Sequence, residues 1–336
     1  MKSRPAQVSE YRDLWHPNSR IPKKSMPLRR NILLFHLGAL GDFVVTWPLA
    51  LTLGRIFPQS RTFYVTHSQK GLLAERVLRT ESVDVEAGWH HLFSDASALP
   101  PAAAKLLNGA HTIVSFLADN TGAWSANIRN LAPEARLVQL STAIPADDDR
   151  HVTEFLVDQL TDWKVAQTAA QQILRSVAER GIAGDRPGAI AGSPSVVIHP
   201  GAGAARKCWP IERFIELSGL LAAKGKQVRF IVGEVEKEKW PADRLSALSS
   251  SATIVEPANL VELAEVIRSA QLFIGNDSGP GHLAGILGVP TVAIFGPGNT
   301  TRWRPLGPKV RVVSGDLETL AVEEVMNAVE GPAARG

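Results

Sequence analysis

Short runs of apolar and β-branched residues alternate along this chain with longer stretches whose apolar positions recur at helical spacing. The runs are 31-NILLFH-36, 62-TFYVTH-67, 111-HTIVSF-116, 195-SVVIHP-200, 227-QVRFIVG-233, 253-TIVEP-257, 271-QLFIGN-276 and 291-TVAIFG-296. The helical stretches between them include 43–56, 211–224, 259–270 and 281–288. This alternation predicts β-α-β units, in which parallel sheets are covered by helices. Runs such as SVVI and TVAIF are apolar at every position, as strands buried on both faces require.

The pattern breaks at 181-GIAGDRPGAIAGSPS-195, which divides the ordered chain into two nearly equal halves. Each half opens on a strand that runs into a glycine turn and a helix, 31-NILLFHLGALGDF-43 and 195-SVVIHPGAGAARKCWPIERF-214. The expectation is an α/β protein of two Rossmann-like domains, 31–185 and 194–315, facing each other across a cleft. Ligands of open α/β sheets bind beyond the carboxyl ends of the strands, so the glycine turns are expected at that cleft.

Composition narrows the class without naming a chemistry. At 336 residues, 45% of them hydrophobic, the chain is long enough for two cores. No apolar run reaches the roughly 18 to 20 residues of a membrane span, because 43-FVVTWPLALTLGRIF-57 is interrupted by Pro48 and Arg55. The lone cysteine, Cys208, excludes an internal disulfide and a cysteine-built zinc site, and fits a reducing, cytoplasmic setting. A net charge of +3 is too small to argue for nucleic acid. The excess lies in residues 1–30, where Lys2, Arg4, Arg12, Arg20, Lys23, Lys24, Arg29 and Arg30 face only Glu10 and Asp13. That extension reads as a disordered tail, or as a peripheral contact with anionic lipid at the inner face of the cytoplasmic membrane. It lacks the long apolar core of a signal peptide.

The common nucleotide fingerprints are missing. GxxxxGK[ST] does not occur, and in 201-GAGAARK-207 Arg206 stands where GxGxxG needs its third glycine. The acidic run 147-DDD-149 looks like a metal-binding Asp-x-Asp, but it precedes 150-RHVTEFLVDQLTDW-163, whose Val152, Phe155, Leu156, Leu160 and Trp163 share a helical face. Carboxylates there are expected to cap the helix and oppose its dipole, so no metal is expected.

Three clusters at strand-to-helix turns remain. In 36-HLGALGDFVVTWPLA-50, Gly38 and Gly41 permit a tight turn, and Asp42 fits two roles, helix N-cap or general base. In 199-HPGAGAARKCWPIERF-214, small residues including Gly201 and Gly203 let backbone amides approach an anion, and Lys207 adds a full charge. Trp209 and Phe214 read as core. In 275-GNDSGPGHLAGILGVPTVAIFGP-297, Asn276, Asp277, Ser278 and Gly279 precede a helix whose first amides are free for anionic oxygens, with His282 in its first turn. Arg302 and Arg304 fit rim positions or phosphate contacts, and Glu234 fits a ribose acceptor or a solvated loop acid. The loops 84–105 and 119–130, with 87-AGWHH-91 and 120-NTGAW-124, fit glycan contacts or local packing.

Taken in order and at this spacing, LGALGD, HPGAG with K and WP following, and GNDSGPGHLAGILGVPTVAIFGP resemble the ADP-heptose:lipopolysaccharide heptosyltransferases, glycosyltransferase family nine, from about Asn31 to Gly307. The resemblance implies a GT-B fold, with an acceptor domain first, a nucleotide-sugar domain second, and a last helix, about 316–329 within 316–336, returning to the first. It implies metal-independent, inverting transfer from a nucleoside-diphosphate sugar to a glycan or glycolipid acceptor. The family's base falls on Asp42, its phosphate-binding lysine on Lys207, and its ribose-binding acid on Glu234. Its donor contacts fall on Asp277, Ser278, Gly279 and His282. His36 stands where many members have arginine, which bears on the acceptor side. A nucleotide-sugar epimerase and a non-catalytic nucleotide- or glycan-binding protein are the rival classes.

Overall fold

The computed structural model describes residues 30–182, 196–298 and 300–331. The basic extension, apart from Arg30, and most of the glycine- and proline-rich break lie outside the described residues.

Two parallel sheets carry the molecule. The first holds β1 (Asn31–Phe35), β2 (Arg61–Thr66), β3 (Glu81–Asp84), β4 (Ala110–Ser115) and β5 (Arg136–Gln139), in the order β3-β2-β1-β4-β5. The second holds β6 (Val196–His199), β7 (Val228–Ile231), β8 (Thr253–Val255), β9 (Leu272–Asn276), β10 (Thr291–Phe295) and β11 (Val310–Ser314), in the order β11-β10-β9-β6-β7-β8. Every strand pair is parallel. β6 and β10 are buried at every position, as their uninterrupted apolar runs require.

Strand order reverses beside β1 in the first sheet and between β6 and β9 in the second. Those reversals are where an open α/β sheet parts its covering layers and leaves a crevice. The turns after β1, β6 and β9 are the three glycine-bearing clusters. The segment expected to be one helix over 43–56 is two, Leu40–Val45 and Trp47–Ile56. The break is at Thr46, whose hydroxyl donates to the Phe43 carbonyl at 2.7 Å, and Pro48 occupies the first turn of the second helix.

The halves share apolar surface. Phe43 and Val44 of the first lie in one buried cluster with Leu283, Ala284 and Ile286 of the second. The helix Leu40–Val45 packs against the helix Gly279–Ile286, and Ser68–Leu78 against Leu260–Ser269. Chain connection reinforces this: the Ile182 amide donates to the Ile286 carbonyl at 2.7 Å.

The last helix, Val322–Glu330, does not return to the first half. Its buried face, Val322, Val325 and Met326, joins Phe214, Leu217 and Ile294 in the second half's own cluster, and the helix packs on β10, β11 and the helix Ile211–Ala223. The apolar stripe of so short a helix is satisfied by the sheet that precedes it.

Candidate functional site

The three turns converge, and two glycines let them. A Cβ on Gly41 would lie 3.1 Å from His282 Cδ2, and one on Gly279 would lie 2.7 Å from Leu40 Cβ. The helix starts of the two halves therefore meet almost backbone to backbone. Asp42 of the first half senses the charges of Lys207 and Asp277 of the second.

Asp42 is not the N-cap of its helix. Ala39 holds that position, in extended geometry, and Asp42 stands in the first turn, where its carboxylate accepts a backbone hydrogen bond from Ala39. This engages an otherwise free amide at the helix start, so the capping function survives in altered form. Burial raises the Asp42 pKa, against the lowering effects of that hydrogen bond and of Lys207 and Lys70.

His36 follows β1 directly and is buried, its ring tilted against Phe43 at 5.3 Å and edge-on to Phe116 at 5.7 Å. Burial, with Lys70 nearby, lowers its pKa to about 3, so it is a neutral imidazole whose Nδ1 has no hydrogen-bond partner. Gly38 separates it from Asp42: a Cβ there would touch His36 Cε1 at 3.1 Å and Asp42 Cβ at 3.2 Å.

In the second half, Lys207 ends a short 3-10 turn, Ala205–Lys207, and its Nζ pairs with Asp277 Oδ2 at 2.5 Å. Asp277 Oδ1 lies 4.0 Å from His282 Nε2. His282 is buried, and its pKa falls to about 4 chiefly through desolvation. Its Nδ1 is buried and unpartnered. Ser278 is the N-cap of the helix Gly279–Ile286, yet its side chain makes no capping bond and its hydroxyl is also buried without a partner.

Asn276 has a different task. Its Nδ2 donates to the Pro200 carbonyl at 2.8 Å and its Oδ1 accepts from the Trp209 amide at 3.0 Å, so it ties the turn after β6 to the end of β9. Trp209 is core: it stacks edge-on against Phe214, and its indole donates to the Leu320 carbonyl at 3.0 Å. Gly203 lies in open space, whereas a Cβ on Gly201 would fall 2.0 Å from Glu236 Oε1.

Glu236, which the sequence reading passed over, is thus the acid under the second turn. Glu234, the sequence candidate, begins the helix Glu234–Lys239 and is exposed. Two residues on, around the helical turn, Glu236 is buried; it accepts from the Gly233 amide at 2.9 Å and reaches to 3.7 Å from His199 Nε2. Burial lowers the His199 pKa, partly opposed by Glu236. Lys70, from the helix Ser68–Leu78, was missed as well; its Nζ donates to the carbonyls of Gly38 at 2.6 Å and Leu37 at 3.3 Å.

Other candidates resolve away from the cluster. Arg302 donates to the Ala146 carbonyl at 2.5 Å and pairs with Asp149 at 3.2 Å, fastening the second half to the acidic run. His151 donates from Nε2 to the Arg304 carbonyl at 2.8 Å and caps the helix Val152–Asp158 through Nδ1. The expected caps are therefore displaced: Asp148 is engaged by Arg150, and Trp163 lies beyond the helix that was expected to include it. Trp89 and Trp124 are fully buried edge-on against Phe35, at 5.3 and 5.1 Å, which makes them core.

The family model described as glycosyltransferase family 9 (heptosyltransferase) matches residues 124–331. Lipopolysaccharide heptosyltransferase 3 of Escherichia coli K12 is 26% identical over 187 residues, covering 55% of this chain and 51% of that protein. Lipopolysaccharide heptosyltransferase 1 of Pseudomonas aeruginosa is 34% identical over 108 residues, 32% of this chain and 30% of that one. The matches thus span about half, or less, of these relatives' length. Among solved structures, the E. coli ADP-heptose lps heptosyltransferase II superposes with a TM-score of 0.65 at 19% identity, covering 89% of this chain and 97% of that one. A glycosyl transferase family 9 structure from Veillonella parvula gives 0.66 at 18% identity, covering 90% and 96%. These likenesses establish the GT-B fold.

Proposed function

The chain belongs to glycosyltransferase family 9, the heptosyltransferases, and from that premise we propose that it transfers a heptose from ADP-heptose, with inversion, to a hydroxyl of a lipopolysaccharide-core or related glycan. One observation carries the reading. A half-buried carboxylate, Asp42, from the first half and a set of polar groups, Lys207, Asp277, Ser278 and His282, from the second meet where two helix starts touch.

The chemistry divides along the same line. Breaking a glycosyl-phosphate bond leaves negative charge on the departing diphosphate. Lys207 and the first amides of the helix Gly279–Ile286 are suited to stabilise it. The buried Ser278 hydroxyl gains in that state the partner it lacks in the protein alone. On the other wall, Asp42 takes the proton of the acceptor hydroxyl as that oxygen attacks the anomeric carbon from the face opposite the diphosphate. A carboxyl whose pKa is raised by burial is a stronger base once ionised.

Asp42→Asn tests this reading. Asn keeps the shape but cannot accept the proton, so transfer falls by about 10²–10⁴-fold while ADP still raises the melting temperature. Unchanged turnover by this variant removes the base role. A thermal-shift panel of ADP-, GDP- and UDP-sugars tests the donor: stabilisation by the ADP-sugar above the other two supports ADP-heptose, and stabilisation by none overturns the transferase reading.

A further inference from the structure

The first turn contains a cation that the proton transfer does not use. Lys70 is only 8% exposed, although lysine is seldom buried without a reason. It comes from a different element, the helix Ser68–Leu78, and crosses to the turn between β1 and the helix Leu40–Val45. There Nζ donates to the Gly38 carbonyl at 2.6 Å and the Leu37 carbonyl at 3.3 Å, with its charge 6.0 Å from the centre of the Phe43 ring. Gly38 is also the residue whose missing side chain leaves room for Asp42 Cβ, so lysine, turn and carboxylate are contiguous.

We propose that Lys70 is a positioning residue for Asp42: it fixes the Leu37–Gly38 carbonyls that set the course of the turn, and its positive charge acts on the carboxylate. The inference rests on Asp42 being the base. Desolvation raises the pKa of a half-buried carboxyl and so favours its protonated form, which cannot accept a proton. Lys70 works against that, as does Lys207, while Asp277 works with it. Burial lowers the pKa of Lys70 itself, and Asp42 opposes the lowering, so each ion favours the other's charge. The same cation helps keep neighbouring His36 neutral. Lys207 is paired with Asp277 at 2.5 Å and is assigned above to the leaving diphosphate. Lys70 is therefore the cation that stays with the carboxylate through the reaction.

The test reads the carboxylate directly and needs no acceptor. In protein labelled with ¹³C at aspartate side-chain carboxyls, the Asp42 resonance is the one absent from Asp42→Asn, and its titration is followed in wild type and in Lys70→Met. Its midpoint is expected to move up by about one pH unit when the opposite charge is removed. Lys70→Gln keeps an N–H for the Gly38 carbonyl but no charge; it is expected to move the midpoint by a similar amount, and carries the measurement if Lys70→Met does not melt cooperatively. A midpoint unmoved in the variants that fold overturns the proposal and leaves Lys70 as a structural tie. If Asp42→Asn transfers sugar at the wild-type rate, the base assignment fails instead, whatever the titration gives.

Discussion

The two turns that meet in the cleft are built on opposite plans. After β1, most polar groups are committed within the protein: Lys70 grips two carbonyls, and Asp42 takes the Ala39 amide, with His36 Nδ1 and Trp47 Nε1 the exceptions. After β6 and β9, Asn276 and the Lys207–Asp277 ion pair do the tying, and Ser278 Oγ, His282 Nδ1 and His199 Nδ1 are left buried without partners. An unpaired buried polar atom costs free energy, and a bound ligand that supplies its partner removes that cost. On the proposed function, the first turn adjusts one carboxylate and the second presents several groups to the bound donor.

Lys207 gives the sharpest way to break this contrast. If the second turn exists to meet developing negative charge, Lys207→Met lowers turnover by about 10²–10³-fold, judged from the loss of single preorganised donors. The pH dependence set by Asp42 stays where it was or shifts slightly upward, since Lys207 also lowers the Asp42 pKa. Steady-state kinetics across pH separate the two effects. A variant whose main change is the acid limb, with turnover at its plateau preserved, would place Lys207 with Lys70 and erase the distinction.

Much of this arrangement was legible in the chain, for physical reasons that also explain the rest. Apolar and β-branched runs announce themselves, and all eight became strands, including the partly buried edge strand β8. β3, β5 and β11 did not stand out because ESVD, RLVQ and VRVVS are edge strands, only partly buried and carrying charge. The glycine turns were visible as turns, but what fills them was not. Lys70 reaches the first turn across 32 residues, and no local spacing encodes that. Glu236 was missed in favour of Glu234 because the strand was read as running to its end, whereas a helix starting at Glu234 exposes that residue and buries the one two further on. Asp149 was read as a helix cap and Arg302 as a rim residue or a phosphate contact, yet they pair with each other between the halves.

A second, smaller effect should appear as stability against pH. His282 is neutral in the folded protein down to about pH 4, whereas its unperturbed value is 6.5. Between those values the unfolded chain binds the proton and the folded one does not, so stability is fully present above about 6.5 and is lost as pH falls toward about 4. His199 acts in the same direction. In the first half His36 does likewise, down to about 3, but Asp42 opposes it, because its raised pKa makes the folded state the better proton binder. The melting temperature should therefore fall through this window, and His282→Gln should flatten the fall by more than Asp42→Asn alters it. Equal slopes in both variants would mean that the halves do not differ in this respect.

The smallest effect bears most directly on the meaning of unpartnered atoms. Ser278 sits where serine normally caps a helix, a role whose loss costs about 1 kcal/mol, but here the hydroxyl makes no such bond. If the position is structural, Ser278→Ala lowers the melting temperature of the free protein and leaves nucleotide affinity alone. If the hydroxyl is kept for the diphosphate, the free protein is unchanged or slightly more stable, since an unsatisfied buried group has been removed, and ADP binds more weakly by about 10-fold or more, the worth of one hydrogen bond to a charged group. Calorimetry of ADP binding beside thermal melts of the free variant reads both quantities. The second pattern is expected, because the hydroxyl has no capping bond to lose.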